Sequence, residues 1–339
     1  ISFEADIAFP HTDKYLLNGL KCFFFATMPQ ISQEVADDVR ALNTPYPEES
    51  IRSALSYKPR ADDVFVVSSF PLCGAEWVQL AVYHILQERA PPTPVFERAA
   101  HLPLLEMQGA ESVDIMPRPG SVRTHLPFHL VPHTDCAKYI YVARNPYDCC
   151  ISLFEEVLNA KKQDFTCEAF LEFFNDFVEG NAMCGDYVVD LLSWYKRRFD
   201  DNVLFMTYEE LLEDKKTSVL RIADFLDEEG EYGQKLRRNR RLLERICSQL
   251  SQERIQECME PRCMMIEAAA ITDEGKPEWA RRFQLSALGS ISEKPSDKKC
   301  QPEIYRKTLR LADMDVKMQE RITTVAGAKC SVMSLWESD

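Results

Sequence analysis

Residues 62–79 read Asp62-Asp63-Val64-Phe65-Val66-Val67-Ser68-Ser69-Phe70-Pro71-Leu72-Cys73-Gly74-Ala75-Glu76-Trp77-Val78-Gln79. Val64 to Val67 form a short, nearly continuous apolar run, the pattern of a strand buried on both faces of a parallel sheet. Proline and glycine then break the run, and apolar residues return over 76–87 at helical spacing. A glycine-containing turn from a buried strand into a helix N-terminus is where α/β proteins hold anions, because backbone N–H groups converge there and the helix dipole favours negative charge. This turn nevertheless has no lysine and no threonine, and it carries Glu76. A glutamate in the first helical turn is favourable in itself, by about 0.3–1 kcal/mol against the dipole. It is also placed to fill the anion position with the chain's own carboxylate.

Two more runs of the same kind follow, Lys138-Tyr139-Ile140-Tyr141-Val142-Ala143 and Val203-Leu204-Phe205-Met206. Between them lie amphipathic patterns. Tyr187, Leu191, Trp194 and Tyr195 share one stripe over 186–199; Phe170, Phe173, Phe174 and Phe177 form another; 217–226 forms a third. Strands alternating with helices predict a doubly wound α/β domain with a parallel sheet. Beyond about residue 260 the periodicity weakens. Residues 284–302 read as a Ser-, Lys- and Pro-rich loop, and a last helix is expected over 312–324. The layout is a lead-in over 1–40, an α/β domain over 41–260, and a divergent segment over 261–339 packing on the same domain.

Composition narrows the function. The 339 residues are 45% hydrophobic and 28% charged, an ordinary globular balance. A net charge of −14 argues against a nucleic-acid binder, so an anionic ligand must be drawn in by local positive charge. No two of the 11 glycines are spaced as G-x-G, and no G-x-x-x-x-G-K-[ST] occurs, which disfavours the standard dinucleotide and nucleoside-triphosphate fingerprints. None of the 12 cysteines forms a C-x-x-C pair; they read as mostly reduced, as in a cytoplasmic protein. No signal peptide is recognisable, and the early apolar run 22–28 is too short to span a bilayer.

Two further segments can carry chemistry. In Ala143-Arg144-Asn145-Pro146-Tyr147-Asp148-Cys149-Cys150-Ile151-Ser152, Asn145 suits an N-cap and Pro146 the first helical position. Arg144 thus falls at a strand's carboxyl end beside a helix N-terminus, with Ser152 two turns along. Either the pair clamps a phosphate, or Arg144 meets a nearby carboxylate and Ser152 a packing contact. In Val122-Arg123-Thr124-His125-Leu126-Pro127-Phe128-His129, His125 ends a strand-like run and faces the usual ligand crevice. It is either a general base toward a hydroxyl or a structural histidine. His125, His129 and His133 are spaced by four, but Pro127 and Pro132 forbid a continuous helix and no carboxylate completes a metal pattern.

Together, FPLCGAEWVQ, RTHLPFHL, KYIYVARNPYDCCISLF and NVLFMTYEELLEDKKTSVLRIADFL resemble, in order and spacing, the cytosolic sulfotransferases over about 40–258. The resemblance implies a sulfotransferase-type α/β fold related to P-loop proteins, a central parallel sheet with helices on both faces. It implies transfer of a sulfonate group from 3'-phosphoadenosine 5'-phosphosulfate (PAPS) to a hydroxyl or amine of a small acceptor, a phenol, alcohol, steroid or amine. It assigns Cys73 and Gly74 to the 5'-phosphosulfate loop, Trp77 and Tyr208 to the adenine, Arg144 and Ser152 to the 3'-phosphate, and His125 to the catalytic base. Arg123 keeps the positive charge of the family's K-T-H-L-P lysine. The family's catalytic lysine falls on Leu72, and its two loop threonines on Ala75 and Glu76. Losing one preorganised donor of that kind costs about 2.7–4 kcal/mol. The C-terminal closing motif reduces to Tyr305-Arg306-Lys307-Thr308, and the family's dimer motif is not recognisable, so a monomer is expected, without metal, nucleic acid or membrane. Three readings stay open: a PAPS-dependent sulfotransferase with weakened donor binding; a pseudo-sulfotransferase that binds a small molecule or nucleotide; and an interaction protein acting through Lys235, Arg237, Arg238, Arg240 and Arg241. Phe23, Phe24 and Phe25 line the acceptor pocket or belong to the core.

Overall fold

The structure, a computed structural model, describes residues 46–68, 70–161, 165–182, 185–227, 229–259, 311–327 and 330–336. The readings made for Phe23, Phe24, Phe25, for 284–302 and for Tyr305-Arg306-Lys307-Thr308 lie outside these residues.

Four parallel strands form one sheet in the order β2-β1-β3-β4: β1 Val64–Val67, β2 Val122–Thr124, β3 Lys138–Ala143 and β4 Val203–Thr207. β1, β3 and β4 are legible as apolar runs because both faces of the sheet are covered, whereas β2, Val-Arg-Thr, is read only as the short run before His125. The alternation is visible in the two cores. Phe65, Val67, Val122, Tyr139, Tyr141 and Ala143 enter one, while Val64, Val66, Ile140, Val142 and Met206 enter the other. The α/β class with helices on both faces of a parallel sheet is therefore the fold.

The helices that matter here, in chain order, are α1 Glu48–Ser56, α2 Ala75–Gln87, α3 Pro146–Lys161, α4 Cys167–Glu179, α5 Tyr187–Lys196, α6 Tyr208–Glu213, α7 Lys215–Leu226, α8 Glu231–Arg238, α9 Arg240–Gln249 and α10 Leu311–Ala326. Their starts follow from capping chemistry. Asp186 accepts from Val189 N–H, Asp214 from Lys216 and Thr217 N–H, and Thr207 with Glu210 closes a capping box. The helix expected over 186–199 is shorter at its end: Arg197 leaves helical geometry at φ −97° and ψ 5°.

The strand order places the crevice. From β1 the chain adds β2 on one side, then crosses to β3 on the other. Helix α2, after β1, packs in one core; α3, after β3, packs in the other through Cys149, Cys150, Leu153 and Phe154. The turns leaving β1 and β3 are thus adjacent at the sheet's carboxyl edge, the topological switch point where open α/β sheets bind ligands. Helix α10 joins the α3–α4–α5 side. Met314, Met318 and Ile322 are buried in that core, and Arg321 pairs with Asp186, the N-cap of α5.

Candidate functional site

The turn after β1 is built on two left-handed residues. Leu72 has φ +69° and Gly74 has φ +95°. A positive φ is uncommon for a side chain such as leucine, and such backbone concentrates at functional sites. Gly74 is required twice over: by its φ, and because a Cβ there would lie 2.7 Å from Cδ2 of Tyr208. The turn is held from the α3 side. Arg144 Nη1 donates to the Leu72 carbonyl at 2.6 Å. The buried thiols of Cys73 and Cys149 lie 3.4 Å apart. Burial first, and Cys73 beside it, push the Cys149 thiol well up, so it stays protonated.

Arg144 leaves the end of β3 with its guanidinium over the Tyr208 ring, 4.6 Å from the centroid. Its Nε is buried without a hydrogen-bond partner. Its carbonyl accepts from the Tyr187 hydroxyl. Asn145 caps α3 through Tyr147 N–H at 3.0 Å. Glu209 accepts from Asn145 N–H at 2.9 Å and from the Trp336 indole at 2.7 Å, so the C-terminal segment reaches the rim of the crevice. Ser152 is half-buried on α3. One turn further, Glu155 keeps one oxygen buried without a partner; burial raises its pKa, and the nearby Arg144 offsets that only in part.

His125 follows β2 directly and is 5% exposed. Its backbone N–H donates to Glu106 Oε1 at 2.7 Å, and Thr124 donates to the other oxygen at 2.9 Å. This buried carboxylate clamps the peptide that carries the imidazole. Nδ1 lies 3.1 Å from the Ser68 carbonyl oxygen, which can only accept, so Nδ1 carries the proton. The Ser68 hydroxyl donates to the Phe70 carbonyl at 3.0 Å, leaving its oxygen as a second acceptor for that N–H. Nε2 is then the basic nitrogen, and it lies 3.9 Å from Glu76.

Glu76 stays at the turn rather than pointing away from it. Its carboxylate is 2.6 Å from Arg123 Nη1, an ion pair by distance without the alignment of a good hydrogen bond. Arg123 is 1% exposed and the Glu76 side chain 16%. Burial works against the charged carboxylate, but Arg123, then His125, then its own backbone N–H outweigh it, and its pKa is lowered. One chain carboxylate thus covers the helix N-terminus, the buried arginine and the histidine.

The structure brings Gly74 and Arg144 against the Tyr208 ring, seats Cys73 against Cys149, and places His125 next to Glu76 and Arg123. Trp77, which the resemblance offers to the adenine, is 3% exposed and packs in the α2-side core. Glu106, Ser68 and Tyr187 position the site yet carry no local sequence signal. They meet it only through the sheet edge and α5. Among the described residues no group of three His, Cys, Asp or Glu converges as a metal site, and no helix is long and apolar enough to cross a membrane. In the basic cluster Lys235 pairs with Glu88, Arg237 with Asp224 and Arg240 with Glu244, so three of its five basic residues face a carboxylate.

Residues 61–259 match the family described as the sulfotransferase domain. The chain is similar to amine sulfotransferase of Oryctolagus cuniculus, 31% identical over 225 residues, 64% of this chain and 67% of that protein. It is also similar to sulfotransferase 1E1 of Homo sapiens, 31% identical over 186 residues, 51% of this chain and 61% of that one. The chain therefore spans about two thirds or less of these relatives' own length. A retinol dehydratase solved with androsterone and inactive cofactor PAP shares the fold, with a TM-score of 0.52 and 21% identity, over 87% of this chain and 94% of that one.

Proposed function

The chain belongs to the sulfotransferase family, and on that premise we propose that it transfers a sulfonate group from PAPS to a hydroxyl or amine of a small acceptor. The observation that carries this reading is the state of His125. Its Nδ1–H is committed to Ser68, its peptide is clamped by Glu106, and Nε2 is left facing the β1–α2 turn, where it can take a proton. A proton on the attacking hydroxyl or amine would pass to that nitrogen as the new oxygen–sulfur or nitrogen–sulfur bond forms and the donor's sulfur–oxygen bond to its 5'-phosphate breaks, releasing 3'-phosphoadenosine 5'-phosphate.

The residues fit the donor nucleotide on one side better than on the other. Toward the 3'-phosphate, Arg144 offers a buried Nε without a partner, beside Tyr208 and just ahead of the helix that carries Ser152. Toward the 5' end, Gly74 supplies the close backbone approach, but Glu76 already sits on Arg123. When bound, the donor supplies the activated sulfonate; donor binding is accordingly weakened. The small acceptor, a phenol, alcohol, steroid or amine, stays a class. We read the chain as a monomer acting in the cytoplasm.

A second reading, a family member that binds a small molecule or nucleotide without transfer, rests on the Glu76–Arg123 pair. Calorimetric titration with 3'-phosphoadenosine 5'-phosphate, followed by labelled sulfonate transfer to a panel of phenols and amines, separates the two. Transfer that disappears in His125→Asn supports the first reading. Nucleotide binding with no transfer to any acceptor supports the second, and no binding at all removes the donor site.

A further inference from the structure

The β1–α2 turn offers a negative ligand three things: the N-terminus of α2, the buried guanidinium of Arg123, and His125. All three are already met by one side chain. The Glu76 carboxylate lies 2.6 Å from Arg123 Nη1 and 3.9 Å from His125 Nε2, and it sits in the first turn of α2. The turn itself supplies no second cation: the side chain preceding Cys73 is Leu72, 40% exposed, and the residue after Gly74 is Ala75. The other end of the crevice is different. Arg144 is held by a carbonyl and an aromatic face, and no carboxylate lies within ion-pair distance of it among the described residues.

Resting on the reading of this crevice as the donor pocket, we propose that Glu76 determines which nucleotide it accepts. Tethered where a 5'-anion would sit, it disfavours a nucleoside 3',5'-bisphosphate and leaves a nucleoside 3'-monophosphate unopposed. A 5'-phosphate must either displace a carboxylate whose tether keeps it at high effective concentration, or lie beside it as a like charge. At about 4 Å, that repulsion corresponds to a loss of roughly fivefold in water-like surroundings and up to about a thousandfold at a protein-like dielectric. For the family's donor the same effect weakens binding without removing the pocket, since Arg144, Tyr208 and Gly74 are untouched by it.

The test is calorimetric titration of the full chain and of Glu76→Gln with 3'-phosphoadenosine 5'-phosphate and with adenosine 3'-monophosphate. Glu76→Thr serves as a second variant, and a thermal melt verifies the fold of each. The expected result is that the native chain binds the monophosphate at least as tightly as the bisphosphate. Glu76→Gln should then bind the bisphosphate at least about fivefold more tightly than the native chain does, with the monophosphate Kd changed less than threefold. A native chain that already prefers the bisphosphate tenfold, with no change in either variant, overturns the inference while the donor pocket survives. Failure of both nucleotides to bind every protein overturns the donor-pocket reading and this inference with it.

Discussion

Replacing Arg123 with methionine should be among the most damaging single changes to stability in the crevice. The residue is 1% exposed, and its guanidinium is the cation 2.6 Å from the Glu76 carboxylate. Methionine fills much of the volume but strands that carboxylate in a half-closed, largely dry position. Removing one partner of a buried pair costs about 3–5 kcal/mol, because the remaining charge is uncompensated. Here the cost should fall near the lower end, since Glu76 is still 16% exposed and keeps its place against the helix dipole. Glu76→Gln alone should cost a comparable amount, about 3–5 kcal/mol, since it takes the carboxylate away from a guanidinium that is only 1% exposed. In Arg123→Met with Glu76→Gln no stranded charge remains, and the double variant should be more stable than Arg123→Met alone by at least about 1 kcal/mol. Urea unfolding of the four proteins at pH 7 supplies the cycle. The pH dependence carries a second sign. Glu76 has a lowered pKa in the fold, so its contribution is fully present above its unfolded value, about 4.3. That contribution is lost as pH falls through the lowered folded value. The stability gap between the native chain and Glu76→Gln should therefore be flat from pH 8 to about 5 and shrink below that. Additive effects in the cycle, or a gap that widens on acidification, would refute the ion-pair reasoning.

Three other outcomes are expected. Gly74→Ala places a Cβ 2.7 Å from the Tyr208 ring at φ +95°; it should destabilise the chain by about 1–3 kcal/mol in urea melts and weaken nucleotide binding by calorimetry. Arg144→Lys keeps the charge but loses the planar group that both holds the Leu72 carbonyl and stacks on Tyr208. Nucleotide affinity should drop about 10- to 100-fold, as for a charge-assisted hydrogen bond worth roughly 1.5–3 kcal/mol; unchanged affinity would place the anion elsewhere. Glu106→Gln can no longer accept from both His125 N–H and the Thr124 hydroxyl through two carboxylate oxygens. Steady-state kinetics with a responsive acceptor should show a lower kcat with nucleotide Kd unchanged, and an altered Kd with unchanged kcat would refute a positioning role.

The strands were legible in the sequence because a sheet covered on both faces leaves no polar alternation: Val64–Val67 and Lys138–Ala143 can only be buried runs. The helix start at Asn145 was legible because its cap is local chemistry, whereas the helix read over 217–226 starts two residues earlier, at Lys215 after the Asp214 cap. Arg144 and His125 were legible as candidates because each directly follows a strand, where an open α/β sheet binds its ligands. Chain order alone also carried the family resemblance. What neighbours those residues acquire is set by the crossing from β2 past β1 to β3, and no local pattern encodes it. Glu106 and Ser68 became the partners of His125 from 19 and 57 residues away. Trp77, which the resemblance offers to an adenine, packs into the core because α2 turns that face toward the sheet. The turn's own sequence placed Glu76 in the first turn of a helix, where the dipole alone accounts for it. Only the closing of β2 against β1 put Arg123 and His125 beside it, and so made a favourable helix residue into the counter-ion of the crevice.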